Sequence, residues 1–174
     1  MKNLFVVALF FATVVAFGQD NNKEEPKEAI HELRLNTTNA LFFKAIDISY
    51  EYFIDEQFTA GISFYTSLDD DLDFYKTFSA TPYFRHFFSI NSDQKKFFIE
   101  AFGMVHNGDR YNYINDETVS ATRFAMGIST GHKYVSDSGF VVETFFGFGR
   151  NFTSEEDGEF PLVGRGGISL GYRF

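Results

Sequence analysis

Between residues 45 and 66 the chain alternates its side chains with a period of two, and the bulky apolar groups keep to one phase. Ile46, Ile48, Tyr50, Tyr52 and Ile54 share one face of an extended segment, with Ala45, Asp47, Ser49 and Glu51 opposite. Phe58, Ala60, Ile62 and Phe64 repeat the pattern against Thr59, Gly61 and Ser63. The same period recurs over Glu32–Leu41, Thr77–Phe88, Phe97–Val105, Thr122–Tyr134, Phe140–Phe152 and Val163–Phe174. That makes eight predicted strands. About ten residues per tilted strand suffices to cross a bilayer, and an even number of strands suits a closed antiparallel barrel.

The aromatic content fits an outward face better than a core. The 174 residues include 25 Phe, no Trp and 20% aromatic side chains, more rings than a soluble domain of this size can bury. A soluble eight-stranded calyx is the competing fold, but it needs polar outward residues. Here the bulky set faces one way and the charges the other, so the barrel is expected to meet lipid. The last strand ends on the aromatic Phe174, with Ile168, Leu170, Tyr172 and Phe174 on one face and Ser169, Gly171 and Arg173 on the other. An exposed edge of that kind invites aggregation unless it closes against the first strand.

Lys2, the apolar run Leu4 to Phe17 and the exit Ala16-Phe17-Gly18 read as a secretory signal peptide over residues 1–18. Residues 19–30 are polar and aperiodic, an expected flexible periplasmic lead-in to a transmembrane barrel over 31–174. Without Cys, neither a disulfide, a lipid-anchored cysteine nor zinc–thiolate chemistry is available. Removing residues 1–18 takes one Lys and no acid, so fourteen basic against twenty-four acidic residues leave a net charge near −10. That charge disfavours nucleic acid as a partner.

The connections alternate in length. Asp55-Glu56-Gln57 and Val135–Gly139 are tight turns, and Ser89–Lys96 is longer but polar; Leu68–Lys76, Asn107–Ala121 and Thr153–Phe160 are long and acid-rich. Short periplasmic turns and longer outer loops follow, with both termini periplasmic. Phe42-Phe43-Lys44 departs from the rule, being short and apolar, and Pro82 in mid-strand is expected to mark a bulge. Tyr52, Tyr134 and Tyr172 fall near the tight-turn ends of their outward faces, where amphipathic rings suit a membrane interface.

The inward phase carries charge. Arg85, Glu100, Lys133, Glu143 and Arg173 fall at similar depth on strands four to eight, with alternating sign. Glu51 and Glu32 extend the belt, and Asp47 and Arg165 lie higher. In a lumen only wide enough for side chains, opposite charges pair and fill it, forming an ionic plug. A catalytic carboxylate dyad would need separated pKa values and access to substrate, whereas each acid here is flanked by a base.

No catalytic, cofactor or metal residue is assigned. His106, with Ser120 or Ser129, could meet near the outer rim, but no motif joins them into a triad. His31, His86 and His132 fall near the tight-turn ends. The acidic runs Leu68–Asp73 and Glu155–Glu159 lack the spacing of a calcium loop and read as solvated charge. Gly147-Phe148-Gly149 and Gly164–Gly167 precede no helix that could receive a phosphate.

With these residues in place, the chain resembles the small eight-stranded barrels of the OmpX and OmpA-transmembrane type. It is similar in more detail to outer-membrane barrel proteins of the Bacteroidota grouped under a domain of unknown function. Ile48–Tyr52, Thr81–Arg85, Phe98–Glu100, Gly139–Glu143 and Gly171–Phe174 carry the resemblance, over nearly the whole chain after residue 18. The set Ile168, Leu170, Tyr172 and Phe174 also resembles the terminal signal by which bacterial barrel-assembly machinery accepts its substrates. The resemblance implies a monomer in the Gram-negative outer membrane, surrounded by its lipids and inserted by that machinery. It specifies no catalytic residue to carry over, and the peptidoglycan-binding domain of full-length OmpA-type proteins is not expected. A structural or surface-interaction role without catalysis is the expectation, its ligand unspecified. A lipid-modifying enzyme at the outer rim and a narrow pore for very small solutes are the alternatives.

Overall fold

The computed structural model describes residues 30–68, 77–89, 95–112, 117–152 and 162–174. The signal-peptide reading and all but Ile30 of the lead-in fall outside them, as do most of the acidic loops 68–76 and 153–160. The described chain runs β1 His31–Asn36, α1 Thr37–Phe42, β2 Ala45–Phe53, β3 Phe58–Ser67 and β4 Phe78–Ser89, then β5 Lys95–Asn112, β6 Glu117–Val135, β7 Phe140–Asn151 and β8 Leu162–Arg173. Each strand pairs antiparallel with its sequence neighbour, and β8 returns to β1, closing an eight-stranded barrel.

The closing ladder reaches the last residue: the His31 N–H donates to the Phe174 carbonyl at 3.0 Å and the Phe174 N–H to His31 at 2.8 Å. Stepping around the barrel along paired residues from Glu32 gives Glu51, Gly61, Tyr83, Phe102, Gly127, Gly149 and Val163. The β8–β1 register pairs Arg173 with Glu32. Extending it upward by ten residues on each strand sets Val163 opposite residue 42, so the circuit returns 42 − 32 = 10 residues along β1. A shear of ten over eight strands corresponds to a tilt of roughly 40° and a climb of about 2.5 Å per residue.

One phase of every strand is apolar and turned outward. Phe64, Phe84, Ile99, Ile128, Phe146, Phe148 and Ile168 are exposed, while the opposite phase holds the buried charges. In water this surface would be an aggregation hazard, and in hydrocarbon it is the expected exterior of a transmembrane barrel. Toward the end that carries Phe174 and the tight turns (the near end), rings gather outside. His31 packs against Tyr50, Tyr52 and Phe174, and His86 against Phe58 and Phe88. The Asp55 carboxylate accepts the Gln57 and Phe58 N–H groups at 2.8 and 2.7 Å, fixing the β2–β3 turn.

Three features differ from the sequence reading. The first strand, expected to run to Leu41, stops at Asn36 and gives way to α1. Asn36 caps that helix by accepting the Asn39 N–H, an ordinary N-cap role for Asn. Second, much of the expected loop Asn107–Ala121 is strand: β5 continues to Asn112 and β6 begins at Glu117. Third, Pro82 makes no bulge. Its missing N–H faces β5, where the ladder lapses at Thr81 and Pro82, yet it resumes at Tyr83 in unchanged register.

Candidate functional site

The lumen is built from the inward phase, and its near half is packed solid. Phe53, Phe87, Phe98 and Phe145 form an apolar layer. Against it lies an ionic cluster of Glu32, Arg34, Glu51, Arg85, Glu100, Lys133 and Glu143, all at most 1% exposed. Arg85 spans the barrel: its Nε donates to Glu100 at 2.6 Å, and its two Nη atoms donate to Glu143 at 2.8 and 3.0 Å. Lys133 reaches Glu32 at 2.6 Å and Glu51 at 2.8 Å. Arg173 clamps Glu32 from below through Nε and Nη2, at 3.0 and 2.8 Å, and lies 4.0 Å from the Phe53 ring centre.

Glu51 is the hub. One of its oxygens receives Arg34, Arg85 at 2.9 Å and Lys133 at 2.8 Å, and the other accepts the Thr59 hydroxyl at 2.6 Å. Burial of so many charges is tolerable because every carboxylate in the cluster meets at least one cation. The three carboxylates of Glu32, Glu51 and Glu143 come close enough to suggest a metal site. Arg34, Arg85 and Lys133 already occupy the space between them, so a cation there would meet three ammonium or guanidinium groups.

Neighbouring strands supply only part of this pairing. Arg85–Glu100 joins adjacent β4 and β5, but Arg85–Glu143 and Lys133–Glu32 run across the lumen. Arg34 belongs to the centre and escaped the sequence reading, although it shares the inward phase of Glu32, two residues away. It bonds Glu32 and Glu51, and its Nη2 donates to the Tyr83 hydroxyl at 2.9 Å. That hydroxyl in turn donates to the Tyr50 carbonyl at 3.2 Å, across Gly61. A Cβ on Gly61 would lie 2.4 Å from the Tyr83 ring, so only glycine lets the ring cross the wall there.

Above Tyr83, Phe102, Met104 and Val163 the lumen widens into a cavity of about 510 Å³. Asn39 and Phe43 line it beside α1, and Asp47, Ser63, Ser79, Thr81, His106 and Arg165 provide polar walls. Asp47 is held by Asn36, Asn39 and Ser63 at 3.2, 2.7 and 2.7 Å. Arg165 donates to Glu100 at 3.0 Å through Nη1 and lies against the rings of Phe102 and Phe145. His106 Nε2 is 2.9 Å from the Asn151 side-chain oxygen. Ser129 does not join His106. It pairs with Glu100, six ladder positions below Arg123, the residue opposite His106.

Ile168, Leu170, Tyr172 and Phe174 lie on the outward phase of β8 beside β1. Such a lumen and exterior define an eight-stranded transmembrane barrel whose near half is closed by charge. Solved structures of the same architecture include the N-terminal β-barrel domain of Pseudomonas aeruginosa OprF. That chain is 15% identical with a TM-score of 0.62, covering 84% of this chain and 98% of the other. Neisserial surface protein A is also similar, 12% identical with a TM-score of 0.51, covering 83% and 94%. No protein-family model matches the sequence, and no curated protein matches it significantly.

Proposed function

We propose that this chain is a monomeric outer-membrane barrel with a structural or surface-interaction role and no catalysis. The observation that carries the reading is the ionic cluster. It fills the near half of the lumen with acids and bases that engage one another, among the described residues. The likeness to OprF and Neisserial surface protein A supports the compartment. The near end, with its tight turns, then faces the periplasm together with both termini, and the far rim faces outside. Ile168, Leu170, Tyr172 and Phe174 act as the signal read by the assembly machinery.

Topology is testable because the chain has no cysteine. With an impermeant maleimide on intact cells, Asn112→Cys at the far end is expected to label. Asp137→Cys, in the near turn, is expected to label only after permeabilisation. The reverse pattern would refute the orientation, and recovery of the protein in the soluble fraction would refute the compartment. Mass spectra of surface lipid with and without the gene test the enzymatic alternative, and a change in acylation would establish it.

A further inference from the structure

We propose that the far cavity binds the anionic headgroup of a single-chain amphiphile, which enters sideways from the membrane over the short strand β1. The proposal goes beyond the structural role given above and rests on the shape of the wall. β1 has six residues, so at about 2.5 Å of climb per residue it rises only roughly 15 Å. The apolar band of such barrels is about 25 Å tall. β8 continues far above, to Leu162, with no strand beside it on that edge among the described residues.

The break is spliced by side chains. The Thr37 hydroxyl donates to the Ile168 carbonyl at 2.8 Å, and the Ile168 N–H donates to the Thr38 hydroxyl at 2.9 Å. Both replace bonds that residue 37 would have made as a strand. Asn36 Nδ2 donates to the Gly166 carbonyl at 3.1 Å. The close fit uses glycine at 167, where φ is +141° and a Cβ would lie 2.5 Å from the Asn36 side chain. Above this splice no described side chain covers the exterior: a Cβ placed on Gly164, on the outward phase beside Phe148, would meet nothing within 4 Å.

That opening lies at lipid depth. Gly166 and Gly164 pair with Phe146 and Phe148, which are 66% and 59% exposed on the barrel's exterior. Leu41, Phe42 and Phe43 present further apolar surface at the low rim. Since Phe43, Gly164 and Gly166 also line the cavity, the apolar exterior and the polar chamber share one border. An alkyl chain lying along that border would keep its methylenes against Leu41, Phe42 and Phe148 while its head reaches the polar walls.

The head is anionic because Arg165 ends a network in which, among the described residues, five cations (Arg34, Arg85, Lys133, Arg165 and Arg173) face four carboxylates (Glu32, Glu51, Glu100 and Glu143). Among the described lining residues Arg165 is the one Lys or Arg, and Glu100 takes only its Nη1. Asp47, the acid of the same wall, is held by Asn36, Asn39 and Ser63. Ser79 and Thr81 add hydroxyls to the same lining.

Native mass spectrometry of the refolded full chain tests this with palmitate, hexadecanol, hexadecyltrimethylammonium and butyrate. One palmitate per barrel is expected, with the neutral and cationic chains at least roughly tenfold weaker and butyrate unbound. Arg165→Gln is expected to lose the preference for palmitate. Ser67→Trp, at the rim of the cavity and away from the ionic cluster, is expected to abolish binding. Equal binding of all three chains would overturn the proposal, as would palmitate retained in Ser67→Trp. Butyrate binding as tightly as palmitate would make the chamber a site for free anions and overturn the sideways route.

Discussion

Replacing Glu51 by Gln keeps the size of the hub side chain and removes its charge. In the wild type Arg34, Arg85 and Lys133 face Glu32, Glu51 and Glu143, three cations against three anions within one buried cluster. The amide can still accept the Thr59 hydroxyl, but with Arg165 on Glu100 and Arg173 on Glu32 the whole network then has five cations to share three carboxylates, Glu32, Glu100 and Glu143. Breaking a buried pair by removing one partner costs about 3–5 kcal/mol, because the remaining charge stays desolvated. Glu51→Gln is therefore expected to fall in that range. Removing Lys133 as well, as Lys133→Met, returns the network to the single excess cation of the wild type, and the double variant is expected to regain more than half of the loss. Urea unfolding in detergent micelles, followed by circular dichroism and by the shift between folded and unfolded gel bands, gives each free energy. A loss below about 1 kcal/mol, the scale of exposed pairs, would show that water reaches the cluster. Strictly additive losses would show that Glu51 and Lys133 do not share one network.

Folded and boiled samples are expected to migrate differently on a mild detergent gel, because a closed ladder leaves no free edge to fray; identical migration with helical circular dichroism would refute the barrel. Tyr172→Ser with Phe174→Ser is expected to lower outer-membrane levels in cells more than it lowers the unfolding free energy of refolded protein, and normal levels would remove the assembly role. Thr37→Val with Thr38→Val deletes both hydroxyls of the β1–β8 splice. At about 1 kcal/mol net for each bond, a loss of roughly 2 kcal/mol is expected, with faster amide exchange at Ile168; unchanged exchange would show that the splice is not what holds that N–H.

The parts of this molecule that were legible in the sequence are those governed by strict alternation. Strand phase follows from a period of two, so the inward placement of Glu51, Arg85, Glu100, Lys133, Glu143 and Arg173 follows once each strand is recognised. Partners are a different matter. Arg85 reaches Glu143 and Lys133 reaches Glu32 because the closed wall brings distant strands face to face, which shear and diameter decide and spacing along the chain does not. Arg34 shares the inward phase of Glu32 and was readable by phase alone.

The helix α1 is six residues long, too short to impose a helical period, and its Leu41 keeps the phase of Leu33 and Leu35. Asn36, followed by two Thr, was the available signal for a helix start. Beyond the lipid-facing zone the outward phase need not be apolar. Polar strand in β5 and β6 therefore reads as loop, although the paired ladder runs on to Asn112 and Glu117. The cavity depends on β1 ending early, so it was hidden by the same short helix.

The claim on which the functional reading depends is that the near half of the lumen is closed by paired charge. Planar-bilayer recording of the refolded wild-type chain addresses it most directly. A closed lumen gives a flat baseline over a wide voltage range, with openings expected only when a hub residue is removed, as in Glu51→Gln. Stable single-channel conductance from the wild type would contradict the closed lumen and establish the pore.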